Sequence, residues 1–125
     1  MAKKILIVDD DRINLLLIQT RLQEAGYEVF ESYDGEEGLK KAKAEKPDLI
    51  ILDIEMPKMN GYAFILEMKK DEYLKRIPTI VLTAHTDMQP IFHRKGIKEY
   101  LVKPIMTEQL MEKINQYLSP EESKS

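Results

Sequence analysis

The chain has 125 residues, of which 43% are hydrophobic and 33% are charged, and its formal net charge is −3. A chain of this length and composition can build one folded domain with a buried core, and it is not typical of disordered proteins. The acidic balance argues against direct binding to nucleic acid, and the absence of cysteine excludes disulfides and thiolate chemistry. Because no apolar run approaches the length of a membrane span, we expect a cytoplasmic protein.

Five short runs of hydrophobic or alternating residues predict five strands. Four of them are continuously apolar and rich in branched residues, which is typical of strands buried on both faces of a parallel sheet. The second run alternates in polarity and predicts an edge strand with one wetter face. In chain order the runs cover residues 5–8, 27–31, 49–52, 79–82 and 100–102.

Amphipathic stretches between these runs predict five helices. In the first, Leu15, Ile18 and Leu22 recur on one face, and Gly26 is a stop signal. Short polar side chains precede several of the stretches and are typical helix N-caps. The predicted starts lie, in chain order, near Asp11, Asp34, Gly61, Asp87 or Met88, and Thr107.

The segment between the fourth and fifth runs has the least regular pattern. Alternation of strands and helices predicts a fourth helix there, but Pro90 is tolerated only in the first turn of a helix. This helix must therefore be short. We expect the folded domain to cover residues 3–118, and residues 119–125 to form a polar tail or the start of a linker.

Strands that alternate with helices predict βαβ units. Their right-handed crossovers give a doubly wound, five-stranded parallel sheet with helices on both faces, in a single domain. Ligands of such α/β sheets bind outside the carboxyl ends of the strands. The residues that follow each strand are therefore the first candidates for a functional site.

Ionisable or hydroxyl side chains end four of the five predicted strands. Asp9 and Asp10 follow the first strand, and the other three strand ends carry Asp53, Thr83 and Lys103. Two carboxylates about 4 Å apart repel each other by about 4 kcal/mol at an effective dielectric constant near 20. A divalent cation relieves this repulsion, and carboxylate oxygens favour Mg²⁺ or Mn²⁺. Together with a lysine and a hydroxyl for phosphate oxygens, the cluster predicts phosphoryl transfer to an aspartate.

Four motifs in this chain, taken together, resemble the receiver domain of two-component response regulators, in its single-domain, chemotaxis-regulator-like form. They are IVDD at residues 7–10, DIEMPKMNG at 53–61, LTA at 82–84 and YLVKP at 100–104. The resemblance extends from about residue 3 to residue 118. It implies a flavodoxin-like fold with the strand order 2-1-3-4-5.

The resemblance also implies the roles of the acidic residues. Asp53 resembles the phospho-acceptor, which takes a phosphoryl group from a histidine kinase or a histidine phosphotransfer protein. Asp9 and Asp10 resemble the acidic pair that holds Mg²⁺, with Asp53 and the backbone carbonyl of Glu55 as further ligands. Mn²⁺ is the alternative ion.

Other positions match the residues that respond to the phosphoryl group. Thr83 and Lys103 match the residues that bind phosphoryl oxygens, and Tyr100 matches the aromatic switch that turns inward when Thr83 moves. Glu55 and His85 occupy the positions that tune hydrolysis of the phosphoryl group. The Lys103–Pro104 peptide bond is expected to be cis.

By this resemblance the chain is a signalling phospho-acceptor, and it would catalyse only its own Mg²⁺-dependent phosphorylation and dephosphorylation. The kinase or phosphotransfer protein would recognise exposed positions on the first helix, such as Asn14 and Leu17. A downstream protein would bind the face formed by the fourth helix, the fifth strand and the fifth helix. No output domain is visible in the sequence, so we expect a single-domain regulator, a phosphorelay intermediate or a part of a longer protein.

Two alternatives come from other classes of protein. A flavodoxin-like carrier would bind FMN at the same edge of the sheet, but a flavin phosphate prefers helix N-termini and neutral or basic loops to an acid cluster. A metal-dependent phosphohydrolase would use Asp53 as its nucleophile. Such enzymes usually have a second aspartate two residues later, where this sequence has Glu55.

Overall fold

The computed structural model of the protein describes residues 2–56, 61–84, 94, 97 and 99–118. These residues contain the strands β1 (Lys4–Val8), β2 (Glu28–Ser32), β3 (Leu49–Asp53), β4 (Thr79–Thr83) and β5 (Glu99–Val102). They also contain the helices α1 (Arg12–Glu24), α2 (Gly35–Glu45) and α3 (Gly61–Lys69) and a C-terminal helix (Thr107–Tyr117). A short 3₁₀ turn at Leu74–Arg76, which the sequence patterns did not predict, precedes β4.

The five strands form one parallel sheet in the order β2-β1-β3-β4-β5. The predicted fold class and strand order are therefore confirmed. The order reverses at β1, because the chain moves from β1 outward to β2 and then returns to β3 on the other side. A crevice forms at such a reversal, outside the carboxyl ends of the central strands.

Successive residues of the central strands point to opposite faces of the sheet, so each strand contributes to two cores. Ile5 and Ile7 of β1 pack with α1 and the C-terminal helix, whereas Leu6 and Val8 pack with α2 and α3. Burial on both faces explains why these strands are continuously apolar. The buried helix positions are Leu15, Ile18, Leu22, Leu110 and Ile114 on one face, and Ala42, Phe64 and Met68 on the other.

Of the predicted helix caps and stop signals that the structure describes, three agree with the sequence patterns and one does not. Asp11 and Asp34 are the N-caps of α1 and α2, and each side chain accepts hydrogen bonds from backbone N–H groups of the first turn. Gly26 follows α1 with φ of 98°, a left-handed conformation that favours glycine. The prediction of Thr107 as a cap is wrong, because Met106 is the N-cap and Thr107 is already helical.

The two edge strands differ from the sequence prediction in one respect. β2 is an edge strand, as its alternating pattern predicted, but β5 forms the other edge and is half-buried along its whole length. The expectation that the fifth run is buried on both faces is therefore wrong. Hydrophobicity alone does not reveal it, because the position of a strand in the sheet depends on pairing across the whole fold.

Several predictions concern residues outside the described ranges. The fourth helix with Pro90, the side chain of His85 and the polar tail at 119–125 all belong to this group, and they stay predictions. Among the residues that the structure does describe, no helix is long and apolar enough to cross a membrane.

Candidate functional site

Most of the predicted site residues that the structure describes come together at the carboxyl edge of the sheet. Val8 pairs with Leu52, Asp53 pairs with Leu82, and Thr83 pairs with Val102. This register places the ends of β1, β3, β4 and β5 side by side. Of the side chains that they present, three are buried, namely Asp9, Asp53 and Thr83.

Three carboxylates form a compact cluster at this edge. One carboxylate oxygen from each of Asp9, Asp10 and Asp53 lies within 4.8 Å of the other two. Asp9 and Asp53 are buried, whereas Asp10 is exposed, so the cluster opens to solvent on one side. Carboxylate oxygens on an open site, with room for water, fit the coordination of Mg²⁺.

Both carboxylate oxygens of Asp9 accept hydrogen bonds from the start of α1. The backbone N–H of Asp11 donates to Oδ1 at 2.9 Å, and the side-chain amide of Asn14 donates to Oδ2 at 2.7 Å. We expected Asn14 to be a partner-contacting position, and its contact with Asp9 was not predicted. The only available signal was an amide side chain five residues after Asp9, in the first turn of the helix.

Asp53 is 2% exposed, and both of its described contacts fall on one oxygen. Its Oδ1 accepts a hydrogen bond from the backbone N–H of Glu55 at 3.0 Å and lies 3.2 Å from Nζ of Lys103. Burial, and to a smaller extent the charge of Asp9, raise the pKa of Asp53 from 3.8 to about 6, although the N–H of Glu55 and the ammonium group of Lys103 act in the opposite direction. The negative charge at this edge is thus only partly balanced within the described residues.

Lys103 follows β5 and directs its ammonium group toward the carboxylates. Burial alone would lower the pKa of Lys103, but the negative charges of Asp53, Asp9 and Glu55 together raise it. The lysine therefore stays charged at neutral pH. Its backbone N–H donates to the carbonyl of Thr83 at 2.7 Å, and the Lys103–Pro104 bond is cis, as the resemblance implied.

The side chain of Glu55 contacts the end of β4. The hydroxyl of Thr83 donates to Oε2 of Glu55 at 2.8 Å, and the backbone N–H of Ala84 donates to Oε1 at 3.0 Å. The resemblance implied a role for the backbone carbonyl of Glu55 and for its position two residues after Asp53. The contact of its carboxylate with β4 is an additional finding of the structure.

Tyr100 lies one strand away from this contact. It is half-buried in β5, pairs in register with Val81, and packs against the cluster of Ile54, Val81 and Ile97. Ile54 directly follows Asp53, so this cluster joins the aromatic ring to the loop that carries the acidic site.

Gly61 fixes the far end of that loop. Its N–H donates to the carbonyl of Ile54 at 2.9 Å, and a Cβ atom at this position would lie only 2.6 Å from Cα of Ile54. Real Cβ atoms essentially never approach so closely. Glycine therefore lets the start of α3 lie directly against the residue that follows Asp53.

A parallel sheet with this strand order, an acidic trio, a lysine and a threonine hydroxyl at its carboxyl edge is the combination expected of a phospho-acceptor domain of the doubly wound α/β class. The family model of the response regulator receiver domain matches residues 5–115, and the chain belongs to this family. Phosphorylation-switched signalling is the function expected of such a domain. The flavin-carrier and phosphohydrolase alternatives are accordingly set aside.

Curated relatives include proteins of two different lengths. The chain is 39% identical over 106 residues to the alkaline phosphatase synthesis transcriptional regulatory protein PhoP of Bacillus subtilis, a match that covers 83% of this chain but only 43% of PhoP. It is 35% identical over 121 residues to the polar-differentiation response regulator DivK of Brucella abortus, covering 94% of this chain and 98% of DivK. The chain thus spans less than half of one relative and nearly all of the other.

Solved structures of similar proteins have the same fold. The chemotaxis protein CheY4 of Vibrio cholerae superposes with a TM-score of 0.87 at 33% identity, covering 94% of this chain and 100% of CheY4. The response regulator TrrA of Thermotoga maritima superposes with a TM-score of 0.83 at 38% identity, covering 93% of this chain and 99% of TrrA. The TrrA structure is a complex with Mg²⁺ and BeF.

Proposed function

We propose that this chain is a signalling switch whose Asp53 accepts a phosphoryl group from a histidine kinase or a histidine phosphotransfer protein. The observation that carries the proposal is the buried carboxylate of Asp53, which has Nζ of Lys103 3.2 Å away and a second buried carboxylate beside it. Burial removes water from the acceptor, while the lysine supplies positive charge where a phosphoryl group would bring negative charge.

The transfer step forms one bond and breaks one bond. A carboxylate oxygen of Asp53 attacks the phosphorus and forms a P–O bond, while the bond between phosphorus and the imidazole nitrogen of the donor breaks. The electron pair of that P–N bond stays on the imidazole. The oxygens of the transferred group then accept hydrogen bonds from Lys103 and from the hydroxyl of Thr83, which lie at the adjacent strand ends.

A divalent cation completes the proposed site. Asp9, Asp10 and Asp53, with the backbone carbonyl of Glu55, would hold Mg²⁺, and the close approach of the three carboxylates supports this set. The bound ion would supply positive charge to the phosphoryl oxygens. Mn²⁺ prefers the same oxygen ligands and is expected to substitute for Mg²⁺. The TrrA complex with Mg²⁺ and BeF supports the choice of ion by similarity.

Phosphorylation would act on a protein-binding face through Thr83 and Tyr100. The two residues lie on paired strands, and the cluster around Tyr100 includes the residue after Asp53. Movement of Thr83 toward the phosphoryl group would draw Tyr100 inward and remodel the face formed by the predicted fourth helix, β5 and the C-terminal helix. We further propose that the domain hydrolyses its own aspartyl phosphate at a rate tuned by Glu55 and His85.

The exposed face of α1 supports a docking site for the phosphoryl donor. Ile13 is 74% exposed, and Leu16 and Leu17 are each 61% exposed, beside the acidic cluster at the start of the same helix. Apolar side chains at this exposure are typical of an interaction surface.

We propose a single-domain regulator or phosphorelay intermediate that works in the cytoplasm, with residues 3–118 as its functional unit.

Intact-mass spectrometry tests the proposal. The protein is incubated with acetyl phosphate and Mg²⁺, beside an Asp53→Asn variant and a sample with EDTA. Gain of one phosphoryl group by the wild type alone is the expected result. Equal gain by the Asp53→Asn variant, or equal gain in EDTA, would contradict the proposed acceptor or the proposed metal requirement.

A further inference from the structure

Both carboxylate oxygens of Glu55 accept hydrogen bonds from the end of β4. Oε2 accepts the hydroxyl hydrogen of Thr83 at 2.8 Å, and Oε1 accepts the N–H of Ala84 at 3.0 Å. Thr83 is completely buried, so its hydroxyl depends on partners within the protein. The glutamate thus fills a two-donor site at the carboxyl end of β4.

Each of these donors has only one hydrogen to give. A threonine hydroxyl donates one hydrogen bond, and a backbone amide also donates one. The hydroxyl that the proposed function assigns to a phosphoryl oxygen is therefore already used by Glu55. A phosphoryl group on Asp53 and the carboxylate of Glu55 cannot both hold the hydrogen of Thr83.

The phosphoryl group and the Glu55 carboxylate also repel each other, because both are negatively charged. The negative charge of Glu55 is close enough to Lys103 to help raise the pKa of that lysine, and the lysine also contacts Asp53. A phosphoryl group placed on Asp53 would bring further negative charge into the same small region. Like charges that share a site with little water repel each other.

We propose that the Glu55 carboxylate competes with a phosphoryl group on Asp53 for the hydroxyl of Thr83, and that it must release this hydroxyl before the phosphoryl group is fully bound. The inference rests on the proposed function, in which Asp53 carries that group. In this role Glu55 disfavours acceptance of the phosphoryl group by Asp53 and keeps the hydroxyl of Thr83 from turning toward Asp53. This role concerns the entry of the phosphoryl group and is separate from the rate of its hydrolysis.

Beryllofluoride, which mimics a phosphoryl group on a carboxylate, measures this competition without turnover. Its dissociation constant is determined by titration calorimetry at saturating Mg²⁺ for the wild type, Glu55→Gln and Glu55→Ala. Glu24→Gln, which removes the same charge from an exposed residue of α1, is the matched control. The substitutions at position 55 leave its backbone N–H and carbonyl in place, so the hydrogen bond to Asp53 is retained.

We expect both Glu55 variants to bind beryllofluoride about tenfold more tightly than the wild type, since one charge-assisted hydrogen bond contributes about that much. Glu24→Gln should bind like the wild type. Equal or weaker binding by folded Glu55 variants, with normal binding by the wild type, would overturn the inference and leave the proposed function intact. Failure of every protein to bind would overturn both.

A second measurement separates competition from a merely structural effect of Glu55. Thr83→Ala is combined with Glu55→Ala, and the gain in affinity from the glutamate substitution is compared in the two backgrounds. Competition for the hydroxyl predicts a smaller gain when Thr83 is absent. An equal gain in both backgrounds would mean that Glu55 does not act through Thr83, and it would overturn this part of the inference.

Discussion

The side-chain amide of Asn14 donates a hydrogen bond to Oδ2 of Asp9 at 2.7 Å, while the backbone N–H of Asp11 donates to Oδ1. The first turn of α1 therefore orients a buried carboxylate of the proposed metal site. Residues that orient a metal ligand in this way affect metal affinity although they do not touch the ion.

Replacement of Asn14 should weaken Mg²⁺ binding. We expect Asn14→Ala to raise the dissociation constant for Mg²⁺ about tenfold, because Asp9 would lose one of the two donors that orient its carboxylate. Calorimetric titration with Mg²⁺ measures the change. Gln23→Ala, which removes an amide from an exposed position of the same helix, is the control and should bind like the wild type. Unchanged affinity in Asn14→Ala would show that the amide has no such role.

Loss of the ammonium group beside Asp53 should slow phosphorylation. Nζ of Lys103 lies 3.2 Å from Oδ1 of Asp53, so Lys103→Gln removes a positive charge that lies beside the acceptor. We expect the initial rate of phosphorylation by acetyl phosphate to fall about a hundredfold, as when one transition-state donor is removed. Intact-mass time courses give the rate, and Lys40→Gln on the exposed surface of α2 is the control. A rate within a factor of two or so of the wild type would contradict this role of the lysine.

Stability in metal-free buffer should depend on the ionisation of Asp53. Its pKa is about 6 in the folded protein and 3.8 ordinarily, mainly because burial disfavours the charge. Below about pH 4 the group is protonated in both states; as the pH rises through the folded pKa, its ionisation destabilises the fold. We therefore expect Asp53→Asn to exceed the wild type in stability at neutral pH by up to about 3 kcal/mol, and the difference to shrink toward pH 4.

Urea unfolding in EDTA, followed by circular dichroism across this pH range, measures the effect. Glu24→Gln, at an exposed position, should show a difference from the wild type that does not follow the same pH dependence. A stability gain of Asp53→Asn that is constant with pH would indicate that ionisation of Asp53 is not its cause.

The close approach of Gly61 to Ile54 should make substitution costly for both stability and the site. A Cβ atom at position 61 would lie 2.6 Å from a backbone atom of Ile54, so Gly61→Ala must shift the segment that follows Asp53. We expect a loss of about 1–3 kcal/mol in the free energy of unfolding, together with weaker Mg²⁺ binding.

Gly26→Ala provides the comparison for this variant. Its φ of 98° makes alanine unfavourable there too, but the residue lies after α1 at the opposite edge of the sheet. We expect Gly26→Ala to lose stability without a change in Mg²⁺ affinity. Equal effects of the two substitutions on Mg²⁺ binding would argue against a specific link between Gly61 and the acidic site.

Much of the fold could be predicted because burial on both faces of a parallel sheet leaves a strong sequence signal. The runs at β1, β3 and β4 are continuously apolar, and their carboxyl ends must meet at one edge. That geometry was enough to predict that Asp53 and Lys103 lie close together. The half-buried state of β5 could not be predicted from its sequence, because it depends on which strand lies at the edge of the sheet.

Side-chain contacts between distant elements were harder to predict. Glu55 and Thr83 are 28 residues apart, and the hydrogen bond between them depends on the direction that the glutamate side chain takes from the loop. The contact of Asn14 with Asp9 depends on the rotation of α1 about its axis. No pattern of hydrophobicity or spacing specifies either of these, although the residue types themselves can be seen in the sequence.

The identity of the phosphorylated residue is the most direct test of Asp53 as the phospho-acceptor. Protein treated with acetyl phosphate and Mg²⁺ is reduced with borohydride, which converts an aspartyl phosphate to homoserine, and the modified residue is located by peptide mass spectrometry. We expect homoserine at position 53 alone, and none after treatment in EDTA. Homoserine at another aspartate with position 53 unmodified would contradict Asp53 as the phospho-acceptor.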